Sequence, residues 1–223
     1  RNNRATSVLL LAGVDARMDP GSDPKLNASQ GTWAVEYARQ TVDSAVQTGS
    51  PPSRPASVDP VFEIDRGAFV TLEKADQLRG CIGRPIPEQP AVEAIRAAAV
   101  GAATDDPRFQ PVEGPELDSL TVEVSVLTPP EELDAVDPAA LTIGRDGLLV
   151  SRGGQRGLLL PQVPVEQTWD AETFLEETCR KAGLPRDCWQ FDEIRVQRFG
   201  AQIFAETEPR GPIEAVDLDG GVK

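Results

Sequence analysis

The chain has 223 residues, enough to bury a sizeable core as one domain or as two intimate subdomains. Asp and Glu number 36 against 22 Lys and Arg, a net charge of −14, with no interleaving of basic and aromatic residues, which speaks against nucleic-acid binding. Histidine is absent, so Ser-His-Asp and Cys-His catalysis and histidine-ligated zinc are excluded within the chain.

Residues 1–17 carry Arg1, Arg4 and Arg17 around an apolar run from position 8 to 14, too short to span a bilayer and only a weak imitation of a secretory signal. Met18, the single methionine, is expected to begin the folded protein, with residues 1–17 as an upstream or leader segment. Apolar or small residues at Ala34, Tyr37, Ala38, Thr41, Val42 and Ala45 predict a helix over 30–47 with one buried face. The Pro-rich stretch 50–55 ends it. Strands are predicted over 62–72 and 77–83, a helix over 90–103, and a strand over 120–127 that alternates apolar with polar. The same order then returns. Two strands at 148–151 and 156–160 flank Gly153-Gly154, and a helix capped by Thr168 buries Phe174, Leu175, Cys179 and Ala182 until Gly183 and Pro185 stop it. Strands at 193–197 and 201–205 complete the second unit, and residues 207–223 read as an acidic flexible tail. Two related strand-strand-helix-strand units, at about 60–127 and 145–205, predict an α+β fold, mainly antiparallel, with a larger and a smaller subdomain inside a domain of residues 18–206.

Candidate chemistry centres on Leu78-Arg79-Gly80-Cys81-Ile82-Gly83. Side chains two apart on a strand share a face, so Arg79 should stand beside Cys81 and favour its thiolate. Gly80 and Gly83 weaken a strand unless a ligand or another backbone comes close. The alternative is a core strand in which Cys81 is a small hydrophobe and Arg79 pairs with a carboxylate. Arg79 and Arg156 hold matching places in the two units and are candidates for gripping an anionic ligand where the units meet. Asp106 and Arg108 either serve that site or form a turn with an ion pair. Glu123 and Ser125 share one strand face opposite Val122, Val124 and Val126, which makes Glu123 a candidate general base or a partner of Arg79. Gln162 lies where its amide either binds a ligand or closes a loop. Cys179 and Cys188 are expected to be packing residues, and three cysteines without a framework predict reduced thiols in a cytoplasmic protein. The sequence has no metal or nucleotide-phosphate motif, and no cofactor is expected.

The hexapeptide at 78–83 resembles the signature of the AMMECR domain family. Matching pieces follow the family order: Arg66-Gly67-Ala68-Phe69-Val70-Thr71-Leu72, Asp106-Pro107-Arg108-Phe109, Val122-Glu123-Val124-Ser125-Val126-Leu127, Gly157 to Val163, Trp169 and Cys179 to Leu184. The resemblance implies a two-subdomain fold without a settled activity, and similarity to systems that include Memo-like and radical-SAM proteins as partners. Scattered acidity with few lysines further resembles proteins of extreme halophiles, whose carboxylates keep the surface hydrated. An acidic face adapted to a basic partner is the competing explanation. Two functional readings follow: an enzyme in which Cys81 is the nucleophile or redox thiol and Glu123 handles protons, or a non-catalytic binding or adaptor module whose glycine-flanked segment is a recognition surface.

Overall fold

Asn27 accepts the Gln30 backbone N–H while the Gln30 side chain returns to the Asn27 N–H, and this capping box starts helix α1 (Ala28–Thr48). Gly49 ends it in the left-handed conformation. These are details of a computed structural model that describes residues 25–216; the expected leader at 1–17 and start at Met18 lie outside the described residues.

The first unit runs β1 (Ala68–Lys74), β2 (Gln77–Arg84), α2 (Ala91–Thr104), β3 (Leu120–Leu127). The expected strand at 62–72 is shorter, because Asp59 caps a helical turn at Pro60–Glu63 and the strand begins only at Ala68. After a two-residue strand β4 (Glu131–Glu132), the second unit follows: β5 (Gly147–Arg152), β6 (Gln155–Leu159), a five-residue helix α3 (Gln162–Glu166), α4 (Ala171–Lys181) and β7 (Arg195–Phe199). The helix cap is Asp170, which accepts the Thr173 N–H at 2.8 Å, rather than Thr168, whose positive φ of 56° places it in the preceding bend.

The two units share one topology. The five-stranded antiparallel sheet contains the order β2-β1-β3, and the four-stranded sheet contains β6-β5-β7. Strand β8 (Ala201–Glu206) does not stay with the second unit as expected. It pairs with β3 and extends the first sheet, and β9 (Ile213–Ala215) adds to its edge, so the segment expected to be a flexible tail is built into the sheet as far as residue 215. One physical reason is Glu206, which lies buried and accepts Arg39 Nε at 2.9 Å and the Val122 N–H at 3.1 Å, fastening the strand to α1 and β3. In the second unit Cys179 and Cys188 form a disulfide between α4 and the turn Arg186–Gln190, so the expectation of three reduced thiols fails for two.

Val70, Leu72, Val122 and Val124 are fully buried on the face that α1 and α2 cover, together with Ala38, Val42, Ile95 and Ala99. Burial of each large apolar side chain contributes about 1.5–3 kcal/mol. A smaller apolar cluster of Phe69, Leu127, Leu149, Leu158 and Phe199 joins the two sheets.

Gly80 and Gly157 are the deciding glycines. A Cβ on Gly80 would lie 2.1 Å from the Ala102 carbonyl oxygen of α2, and one on Gly157 would lie 2.3 Å from the Ala182 nitrogen and 2.5 Å from the Thr178 oxygen at the end of α4. Each unit thus sets its helix backbone directly on its second strand, so at Gly80 it is another backbone that comes close, one of the two expected reasons for a glycine there. Gly83 is likewise structural, because the Phe69 ring fills the space a Cβ would take, 2.4 Å away. Gly80→Ala and Gly157→Ala should each cost about 3 kcal/mol or prevent folding. Gly154→Ala, with nothing within 4 Å, should stay within about 0.5 kcal/mol of wild type. Urea unfolding of the three variants checks this contrast.

Candidate functional site

The strand period that buries Val70 and Leu72 turns Phe69, Thr71 and Glu73 to the opposite face of the sheet. Register places Cys81 of β2 and Glu123 of β3 opposite Thr71 on either side, so Cys81, Thr71 and Glu123 form one row across three strands. Gly83, Phe69 and Ser125 form the next row. Thr71 Oγ1 lies 3.4 Å from Cys81 Sγ as a donor. Helix α3, from the second unit, covers the other end. Gln162 Nε2 donates to Ser125 Oγ at 3.1 Å and lies 3.4 Å from Glu123 Oε1, while Gln162 and Ser125 are both buried. Glu123, Ser125, Gln162 and Cys81 are therefore brought together where the two units meet, as expected of such a junction.

The backbone of Cys81 is clamped from the loop after α2. Asp106, 5 % exposed, accepts the Cys81 N–H at 2.8 Å and three donors of Arg108, while Arg108 Nη2 also reaches the Cys81 carbonyl at 3.2 Å. The Arg108 guanidinium holds the Asp106 carboxyl well below the usual carboxylate range, aided by the Cys81 N–H. Asp106 and Arg108 thus form a turn with an ion pair that holds the Cys81 strand, the structural one of the two expected roles.

Arg79 is not beside Cys81. The β1–β2 register slips between Leu72 and Glu73, leaving Arg79 as the extra residue of a bulge without a partner on β1. Its guanidinium turns to Glu116, at 2.9 and 3.1 Å, and to the Gln110 and Pro111 carbonyls, and it holds the Glu116 carboxyl down to about 2. Arg156 lines a separate cleft of about 240 Å³ with Pro87, Ser151 and Arg195. The two arginines expected to grip an anion therefore do not meet at Cys81. Burial pushes the Cys81 thiol above its ordinary range; the Thr71 hydroxyl and the Arg108 charge oppose this, and the Glu123 and Asp106 carboxylates add to it. A cavity of about 660 Å³ lies elsewhere, around Thr128, Arg145, Arg198 and Gly200, and Arg145 and Arg198 are already paired with Asp146 and Glu131.

Residue reading missed Thr71, Glu73 and Glu166. Thr71 and Glu73 sit at alternate positions of the matching segment 66–72 and the residue after it, but their neighbours depend on register, which no local pattern shows. Glu123 is perturbed in the opposite sense to Asp106. Burial, with Glu73 and Glu166 adding and the Gln162 amide opposing, raises its carboxyl from 4.5 to about 7.

A profile of the AMMECR1 family matches residues 35–204. The chain belongs to the AMMECR1 family. It is 48% identical over 202 residues to protein PH0010 of Pyrococcus horikoshii, covering 87% of this chain and 98% of that protein. It is 51% identical over 185 residues to a protein of Methanothermobacter thermautotrophicus, covering 81% and 96% of the two chains. The crystal structure of the uncharacterized protein PH0010 is similar to this AMMECR1 chain with a TM-score of 0.81 at 48% identity, over 84% of this chain and 96% of that one. Such relatives come from thermophilic archaea and give the halophile reading of the acidity no support. Among the described residues no helix is long and apolar enough to cross a membrane.

The raised Glu123 carboxyl has a definite sign in stability. The folded chain holds this proton more tightly than the unfolded one, so the stabilising contribution is present below about pH 4.5 and is lost as pH rises through about 7. At about pH 8, Glu123→Gln should be more stable than wild type by about 2–3 kcal/mol, at roughly 1.4 kcal/mol per pH unit, and near equal to it at about pH 4. Urea unfolding at the two pH values measures the difference.

Proposed function

We propose that this AMMECR1 protein carries out thiol-dependent chemistry, with Cys81 as nucleophile and Glu123 as the group that accepts and returns its proton. The observation that supports this reading is the row Cys81, Thr71, Glu123 across β2, β1 and β3, on the sheet face that α1 and α2 leave free. A thiol raised by burial needs a base, and a carboxyl near 7 is suited to be one at neutral pH. On a substrate with an electrophilic carbonyl, the S–H proton passes through a bridging water to the Glu123 carboxylate and sulfur bonds to carbon. The carbonyl π pair moves to oxygen, and Glu123 returns the proton to that oxygen. Thr71, whose hydroxyl donates to Cys81 Sγ, stabilises the thiolate as it forms.

The disulfide between Cys179 and Cys188 leaves Cys81 as the free cysteine, so a single mass increment reports its alkylation. Iodoacetamide rates should be several-fold slower at about pH 7.5 in Glu123→Gln, because the base is gone. If Glu123 is only a negative neighbour, its neutralisation lowers the thiol pKa and the rate rises instead, which would refute the reading. Arg79→Leu should leave the rate unchanged, since Arg79 is bound to Glu116, whereas Arg108→Leu should lower it. An unreactive Cys81 at every pH would favour the binding-module alternative.

A further inference from the structure

The second sheet presents a row of donors on the face that α4 does not cover. Val150 and Val196 pack into the cluster beneath α4, so their neighbours Ser151 and Arg195 turn to the other side, toward the first unit. Register sets Arg156 of β6 and Arg195 of β7 opposite Ser151 of β5, one on either flank, with Gln197 beside Leu149 in the adjacent row. Ser151, Arg156, Arg195 and Gln197 all open into the cleft of about 240 Å³, whose far wall is Ile86, Pro87 and Pro130 from the first unit. No carboxylate lines this cleft, in a chain of 36 acidic and 22 basic residues. The 660 Å³ cavity differs, because Asp146 and Glu131 line it together with the arginines they neutralise. Arg156 precedes Gly157 as Arg79 precedes Gly80, yet Arg79 is held by Glu116, whereas Arg156 forms no hydrogen bond or ion pair among the described residues. The Ser151 hydroxyl and the Gln197 amide are without partners among them too. Arg195 uses only Nε, on Glu132 at 3.1 Å, in a pair more than half exposed on both sides that holds it weakly. Two guanidinium groups therefore flank one hydroxyl with no carboxylate between them.

We propose that this cleft binds a small phosphate monoester, its dianionic head held by Arg156, Arg195 and the Ser151 hydroxyl and its organic group set against Ile86, Pro87 and Leu149. The two arginines start two strand spacings of about 4.8 Å apart, a span from which both long side chains reach one tetrahedral head. Planar guanidinium forks match phosphate oxygens in pairs, and two of them balance the charge of about −1.5 to −2 that a monoester carries, whereas a carboxylate would leave one unmatched. The volume lies below the about 300–1,000 Å³ of sites for drug-sized ligands, so the organic group is short. The site stands apart from Cys81 and does not depend on the thiol reading.

Calorimetric titration of the full chain with ethyl phosphate, orthophosphate and propionate tests this, at one fixed ionic strength and about pH 7.5, where the monoester is mostly dianionic. Ethyl phosphate should bind several-fold more tightly than orthophosphate and about tenfold or more tightly than propionate. Arg156→Gln and Arg195→Gln should each weaken ethyl phosphate by about tenfold, and Ser151→Ala by several-fold. Arg152→Gln removes the same charge from the neighbouring position on the opposite face, where Arg152 pairs with Glu193, and should leave the affinity within about twofold. The three arginines are exposed, so these variants should fold, and circular dichroism verifies it. Absence of ethyl phosphate binding to wild type, or binding that survives both Arg156→Gln and Arg195→Gln, overturns the proposal. An equal loss in Arg152→Gln reveals a response to overall charge and overturns it as well. Orthophosphate or propionate bound as tightly as ethyl phosphate rules out the monoester assignment.

Discussion

The arrangement depends on how closely a helix can lie on a strand. At Gly80 and again at Gly157, the missing side chain lets a carbonyl or amide of the helix backbone occupy the space of a Cβ. With the helix seated on that side, the apolar residues of the central strands are enclosed on the same side, and polar residues at alternate positions are turned to the other. The site face of the first sheet follows from that division. Because both units use the device at the same strand, they repeat the strand order, with β2-β1-β3 answered by β6-β5-β7.

The second unit then completes what the first leaves open. After β6, the chain passes Pro161 and turns into α3, which lays Gln162 over Ser125 and Glu123. In the other direction β8 leaves the second unit and pairs with β3 in the first sheet, where the buried pair of Arg39 and Glu206 fastens it. The units are therefore interleaved, and the row of Cys81, Thr71 and Glu123 lies in a sheet whose edge and cover both come from later in the chain.

Two acidic residues at the same site show how surroundings set chemistry. Asp106 is buried but accepts hydrogen bonds from Arg108 and the Cys81 N–H, so its charged form is favoured and it acts as a rigid clamp. Glu123 is half-buried with only the Gln162 amide as a donor and with carboxylates nearby, so its neutral form is favoured and it can exchange a proton near neutrality. Neither difference is visible in the residue type.

Local pattern determined the α+β class, the helices around 30–47 and 90–103, the strand at 120–127, the repeated unit and the placement of Glu123 and Ser125 on one face, because side-chain period and turn residues are properties of neighbouring positions. The family motifs were legible for the same reason. Tertiary structure alone decided the rest. A bulge removed Arg79 from the Cys81 face, although the two residues are only one position apart from adjacency, because register is set by the partner strand. The disulfide between Cys179 and Cys188 needed a helix and a turn brought to a Cα separation of 6.0 Å. Gln162 and Glu166 became neighbours of Glu123 only through the crossing of α3 onto the first sheet, and Glu73 only through the pairing of β1 with β3. Sequence settles which faces are apolar, but which polar groups meet across those faces is a matter of strand pairing and helix seating, and these depend on contacts between residues far apart in the chain.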